Sequence, residues 1–194
     1  MKIVIVDNGS RHLKLLGKLC AHYGSVRVVA PDDVEGIGKD EVVVLSGSHA
    51  HYVLGSPRFY AHERQLVQSH DGPLIGICAG MELIASVYGG RLGKMPLVSN
   101  GRRTIRISDP TLRFSMGGKP TAKVAERHSW AVKDVEEPLI VVATSDAGVE
   151  ALRHVDRPIV GLQFHPELSP DDGRVIFEWA LGQVTNETVS ARGA

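Results

Sequence analysis

The sequence predicts an α/β fold: a mostly parallel open sheet with helices on both faces, and extra antiparallel strands in the second half. Two observations carry this reading. In the first half, short β-branched runs alternate with stretches whose apolar residues recur at helical spacing. In the second half, strand-like runs follow one another with only turn residues between them, as hairpins require. A chain of 194 residues suits one domain, expected over 1–184, with a small, polar, flexible tail at 185–194.

Ile3–Val6 reads as a buried strand that ends in the turn Asp7-Asn8-Gly9. Ser10 is placed to cap the helix that follows. Leu13, Leu16, Cys20 and Tyr23 form its apolar face, and Gly24 stops it. Val26–Ala30 is a second strand, closed by Pro31. Val42–Leu45 is a third, running into Ser46-Gly47-Ser48. Phe59, His62, Glu63, Leu66 and Val67 share one helical face. Leu74–Ile77 is a fourth strand, and Gly80–Tyr88 is a helix ended by Gly89-Gly90. The later strands are Arg103–Ile107, Thr121–Ala125, Leu139–Thr144, Val149–Leu152 and Ile159–Phe164. A last helix carries Val175, Ile176, Trp179 and Ala180 on its apolar face.

Composition excludes several function classes. Lys+Arg and Asp+Glu are 22 each, so there is no basic footprint for nucleic acid, and aromatics at 5% offer little base-stacking surface. No apolar run approaches the roughly 20 residues that span a membrane. Cys20 and Cys78 form no Cys-x-x-Cys pair, which suggests a reducing, cytoplasmic setting.

The chemistry is concentrated in Gly76-Ile-Cys78-Ala-Gly80. An apolar strand runs into this segment and a helix leaves it. That is the logic of a nucleophile elbow: a sharp strand-to-helix turn presents the central side chain, and small neighbours let the backbone approach itself. A thiol near a helix N-terminus sits where the dipole favours thiolate. A thiol nucleophile needs a base, and Phe164-His165-Pro166-Glu167 supplies the candidate. Pro166 keeps His165 extended, and in extended chain residues two apart point the same way. Glu167 can therefore reach the imidazole and fix its tautomer.

These motifs, with His165 placed 87 residues after Cys78, resemble the class I (triad-type) glutamine amidotransferase family. The resemblance covers roughly residues 2 to 182. It implies that Cys78 attacks the side-chain carboxamide of glutamine, with His165 as base and then acid and Glu167 behind it. It implies an oxyanion site at the Ala79 N–H and the Gly47-Ser48 loop, and a substrate segment at His128-Ser129-Trp130. Ammonia would pass to a separate ATP-dependent synthetase, since no Gly-x-x-x-x-Gly-Lys-Ser/Thr loop occurs here. No cofactor or metal is expected. Val6-Asp7-Asn8-Gly9 is similar to the GMP synthase branch of the family. His128-Ser129 is closer to the anthranilate and aminodeoxychorismate synthase branch. A stand-alone γ-glutamyl hydrolase is the alternative enzyme class.

Two positions depart from the family pattern. Glu82 stands where the family has Gln, and at i+4 it should share a face with Cys78 and oppose its ionisation. Ser48 stands where the family has a second Gly, and is expected to limit the loop's left-handed conformations. Elsewhere, the His49, His51 and His62 set reads as surface histidine. Cys20 and Trp179 read as core, and Arg102, Arg103 and Arg106 as a solvated strand face.

Overall fold

A computed structural model describes residues 1–185. Five short strands form one half of a single sheet: β1 (Lys2–Val6), β2 (Ser25–Val29), β3 (Val42–Leu45), β4 (Leu74–Ile77) and, from the end of the chain, β9 (Ile159–Leu162). They lie in the order β2-β1-β3-β4-β9, all parallel. Helices α1 (Leu13–Ala21), α2 (Ala61–Ser69), α3 (Ala79–Val87) and α5 (Asp172–Thr185) cover the two faces. Burial follows the period of the strand. Val42 and Val44 of β3 join the core beneath α1 and α5, while Val43 and Leu45 join the core beneath α2 and α3. Both faces are covered, which is why the central strands β3, β4 and β9 are continuously apolar, whereas the edge strand β2 carries exposed Ser25 and Arg27.

The expected fold class, a mostly parallel open sheet, is corrected by the other half. Beyond β9 the sheet continues through β8 (Val149–His154), β6 (Thr121–Asp134), β5 (Arg91–Ile107) and β7 (Leu139–Thr144), with every pairing antiparallel. β7 also pairs with β8, so β8-β6-β5-β7 closes into a small barrel. Antiparallel pairings outnumber parallel ones, and the far edge is absorbed rather than left open. The cause lies in the long β5–β6 hairpin. Its register slips between Lys94 and Ser99, and such irregularities bend and twist a strand pair. That bending lets Arg106 and Ile107 at the end of β5 reach β7 while Val132 of β6 reaches β8.

A short helix absent from the sequence reading, α4 (Pro110–Ser115), connects β5 to β6. Asp109 Oδ1 accepts from the N–H groups of Thr111 and Leu112 at 2.9 and 3.0 Å, and Pro110 needs no partner at the first position. His62 points outward to Asp32 at 3.1 Å instead of joining the apolar face of α2. Cys20 and Trp179 are buried, the latter donating from Nε1 to Thr111 Oγ1 at 3.0 Å. Thr185 closes α5; the rest of the expected tail lies outside the described residues. No helix among the described residues is long and apolar enough to cross a membrane.

Candidate active site

The carboxyl ends of the parallel strands converge on one cavity of about 480 Å³. Cys78 sits there between β4 and α3 with φ 53 and ψ −106, the sole non-glycine residue with positive φ among those described. Such a conformation costs roughly 1–3 kcal/mol and persists because the surroundings enforce it. Two flanking glycines make it possible. A Cβ on Gly76 would lie 2.5 Å from the Gly80 carbonyl carbon, and one on Gly80 would lie 2.5 Å from Leu45 O. The strand, the turn and the neighbouring strand β3 are in backbone contact at this point, so no side chain fits.

His165 leaves the sheet just after β9, with its N–H donating to Ala125 O at 2.9 Å. Its Nδ1 lies 2.7 Å from Glu167 Oε1, and both side chains are buried. The carboxylate can only accept, so Nδ1 carries the hydrogen and Nε2 is left facing the cavity side of the ring. The thiol and the imidazole meet at Gly47. A methyl group there would lie 3.2 Å from His165 Cε1 and 3.8 Å from Cys78 Sγ.

The loop that brings Gly47 in is held by Asn8. Its backbone N–H donates to Ser46 Oγ at 2.9 Å, and its side-chain amide donates to Ser46 O at 3.0 Å. Thus the turn after β1 clamps the turn after β3. Ser48 adopts no positive φ, and its hydroxyl accepts from the His51 N–H at 3.0 Å, so the expected backbone restriction has no target. The structure brings Ser48, Cys78, Ala79, Glu82, His128, Ser129, Trp130 and His165 together around the cavity, with Gly47 beneath them and Glu167 behind His165.

Electrostatics set the resting state of the sulfur. Burial pushes the Cys78 thiol well above its usual range, and the Glu82 carboxylate adds to this; the Ala79 N–H works the other way. Burial and Glu82 both favour the thiol over the thiolate at Cys78. Glu82 is 4% exposed, and burial lifts its pKa to about 7 against the opposing hydrogen bond from Gln163 Nε2, 3.1 Å from Oε1. His128 lies 3.3 Å from Glu126, which holds its pKa up although burial acts to lower it.

Two neighbours, His12 and Tyr52, were not marked by any sequence pattern. His12 packs edge-on against His165 with ring centroids 5.4 Å apart, and its pKa is lowered by burial and then by His165. Tyr52 stacks on Trp130 at 5.4 Å with nearly parallel planes, forming the cavity's aromatic wall. Arg103, expected on a solvated face, instead donates from Nε to the buried Glu126 at 2.7 Å. The three surface histidines do not converge: His49 contacts Gly9 O, His51 stacks on Phe59 at 3.9 Å, and His62 pairs with Asp32.

Known proteins resemble this chain over most of its length. A family model described as "Glutamine amidotransferase class-I" matches residues 4–181. A glutamine-hydrolysing GMP synthase subunit of Thermoplasma volcanium is 30% identical over 189 residues, covering 92% of this chain and 89% of the relative. The protein of the same description from Haloarcula marismortui is 35% identical over 196 residues, covering 97% and 98%. Among solved structures, a protein assigned as a GMP synthase subunit from Thermoplasma acidophilum superposes with a TM-score of 0.82 at 25% identity, covering 96% of this chain and 94% of that one.

Proposed function

Because the chain belongs to the class-I glutamine amidotransferase family, we propose that Cys78, His165 and Glu167 hydrolyse the side-chain carboxamide of glutamine. The observation that carries this reading is the strained Cys78 at the head of α3, converging with an imidazole that a carboxylate braces at 2.7 Å. His165 Nε2 takes the thiol proton as the sulfur attacks the carboxamide carbon. The N–H groups of Ala79 and of the Gly47-Ser48 loop receive the negative charge that develops on oxygen. His165 returns the proton to the departing nitrogen, ammonia leaves, and a γ-glutamyl thioester remains. Water gives a proton to His165 and attacks the thioester, releasing glutamate and restoring the thiol. Glu167 stabilises the imidazolium in both halves. His128, Ser129 and Trp130 line the cavity where the amino-acid end of glutamine would lie.

The released ammonia serves a separate ATP-dependent synthetase, with the GMP synthase partnership the leading candidate. The support is the relatives of near-equal length that are described as glutamine-hydrolysing subunits of GMP synthase. Expected behaviour is weak glutamine hydrolysis by the isolated chain, with at least a tenfold rise when the partner synthetase, ATP and the acceptor nucleotide are added. Equal glutamate production with and without the partner refutes this partnership. One observation favours a second reading, hydrolysis of a γ-glutamyl amine. Glu82 places a buried carboxylate in the cavity wall, where a cationic leaving group would find it. Faster unaided turnover of such a conjugate than of glutamine decides for it.

A further inference from the structure

The closed barrel encloses a polar cluster whose two carboxylates the proposed reaction does not use. Glu126 and His128 lie two residues apart on β6, and Glu150 lies on β8; all three are buried. One atom from each can be chosen so that all three lie within 4.8 Å of one another. Each side chain is also anchored on one atom. Arg103 Nε donates to Glu126 Oε2 at 2.7 Å, and Ser99 Oγ donates to the same oxygen. Ser145 Oγ donates to Glu150 Oε1 at 2.6 Å. His128 Nδ1 lies 2.7 Å from Trp130 O.

The remaining atom of each side chain, Glu126 Oε1, His128 Nε2 and Glu150 Oε2, is buried with no hydrogen-bond partner. The Trp130 carbonyl only accepts, so Nδ1 carries the hydrogen, and once Nε2 releases the proton that Glu126 favours, the ring presents a lone pair there. Three polar atoms of one buried cluster thus lack a hydrogen-bond partner, an arrangement that buried polar groups avoid unless something cationic joins them. A single proton on Nε2 would link His128 to Glu126, whose Oε2 is 3.3 Å away, but it would leave the Glu126 Oε1 and Glu150 Oε2 atoms bare. An imidazole and two carboxylates, each hydrogen-bonded on its other side, are a donor set for a borderline divalent metal.

We propose that Glu126, His128 and Glu150 bind one divalent transition-metal ion, Zn²⁺ or Mn²⁺, beside the cavity wall formed by His128 and Trp130. Three protein ligands leave a further coordination position for water. Arg103 sits on the opposite oxygen of Glu126, where it orients that carboxylate without occupying the ligand atom. The site shares His128 with the wall of the glutaminase cavity, but none of its three ligands is assigned a proton transfer.

The test is calorimetric titration of the chelator-treated full chain with ZnCl₂ and with MnCl₂, in a Cys78→Ala background that removes the cavity thiol as a competing ligand. Binding of one equivalent, weakened at least tenfold by Glu150→Gln, is the expected result. No saturable binding of either ion overturns the proposal, as does undiminished affinity in Glu150→Gln. Should that variant fail to fold, anomalous scattering from zinc-soaked crystals of the unaltered chain decides. A peak among the three side chains supports the site, and no peak there overturns it.

Discussion

Replacing Glu82 with Gln isolates the cost of burying a carboxylate beside the proposed nucleophile. Burial raises the Glu82 pKa from 4.5 to about 7, so the folded chain holds a proton that the unfolded chain releases at lower pH. The favourable contribution is complete below pH 4.5, falls as pH rises, and is fully lost above 7. A gap of about 2.5 pH units at 1.36 kcal/mol each corresponds to about 3 kcal/mol, of which roughly 2.5 kcal/mol develops between pH 5 and pH 8. At 4% exposure, solvent screens little of this. The Gln side chain keeps an oxygen to accept from Gln163 Nε2, so the local hydrogen bond survives. Urea denaturation of both proteins at pH 5, 6, 7 and 8 measures the effect. Glu82→Gln should gain stability relative to the parent as pH rises, by about 2.5 kcal/mol between the extremes. The same variant should also raise glutaminase activity near neutral pH, because it removes a charge that opposes thiolate formation at Cys78. An unchanged difference between the two proteins across this range refutes the burial argument, and a loss of activity refutes the repulsion argument.

Glu167→Gln should lower kcat for glutamine hydrolysis by about 10²-fold or more with KM little changed, because the imidazolium loses its carboxylate. Steady-state kinetics check this, and a purely raised KM contradicts it. Gly47→Ala should cut activity at least about tenfold while moving the thermal midpoint by only a few degrees. Its methyl group would stand 3.2 Å from His165 Cε1 and 3.3 Å from Cys78 Cβ, inside the space where substrate and base must meet. Thermal denaturation and turnover on one preparation separate the two effects. Gly80→Ala should instead destabilise by more than about 2 kcal/mol, since its Cβ would lie 2.5 Å from backbone oxygen Leu45 O, which cannot turn aside. Chemical denaturation reads that loss, and a neutral result contradicts the close approach of β3 to the elbow.

What could be read from sequence follows the range of the interactions involved. The elbow was legible because its constraint is local: two glycines are needed wherever a strand turns sharply into a helix around a strained residue. His165 and Glu167 were legible because Pro166 holds the intervening backbone extended. The barrel was not legible. Alternation along β5 and β6 assigns their faces, but closure depends on which distant strand each end meets and on a register slip at Lys94–Ser99 that no residue pattern marks. Glu126 and Glu150 fall among ordinary polar positions of alternating strands. Only the closing of β8 against β6 makes them interior, and it also draws Arg103 off the solvated face. His12 follows an unremarkable Ser10-Arg11 pair, and only the position of α1 beneath the His165 turn reveals its contact.

In the proposed reaction Cys78, and not Cys20, is the reactive sulfur. Both are buried, but Cys20 lies inside the core of α1 while Cys78 lines the cavity. Treatment with a diazo-ketone analogue of glutamine, followed by peptide mass spectrometry, distinguishes them. One adduct per chain is expected, on Cys78, with glutaminase activity lost in proportion and both effects absent in Cys78→Ala. An adduct on Cys20, or full turnover in Cys78→Ala, contradicts that assignment.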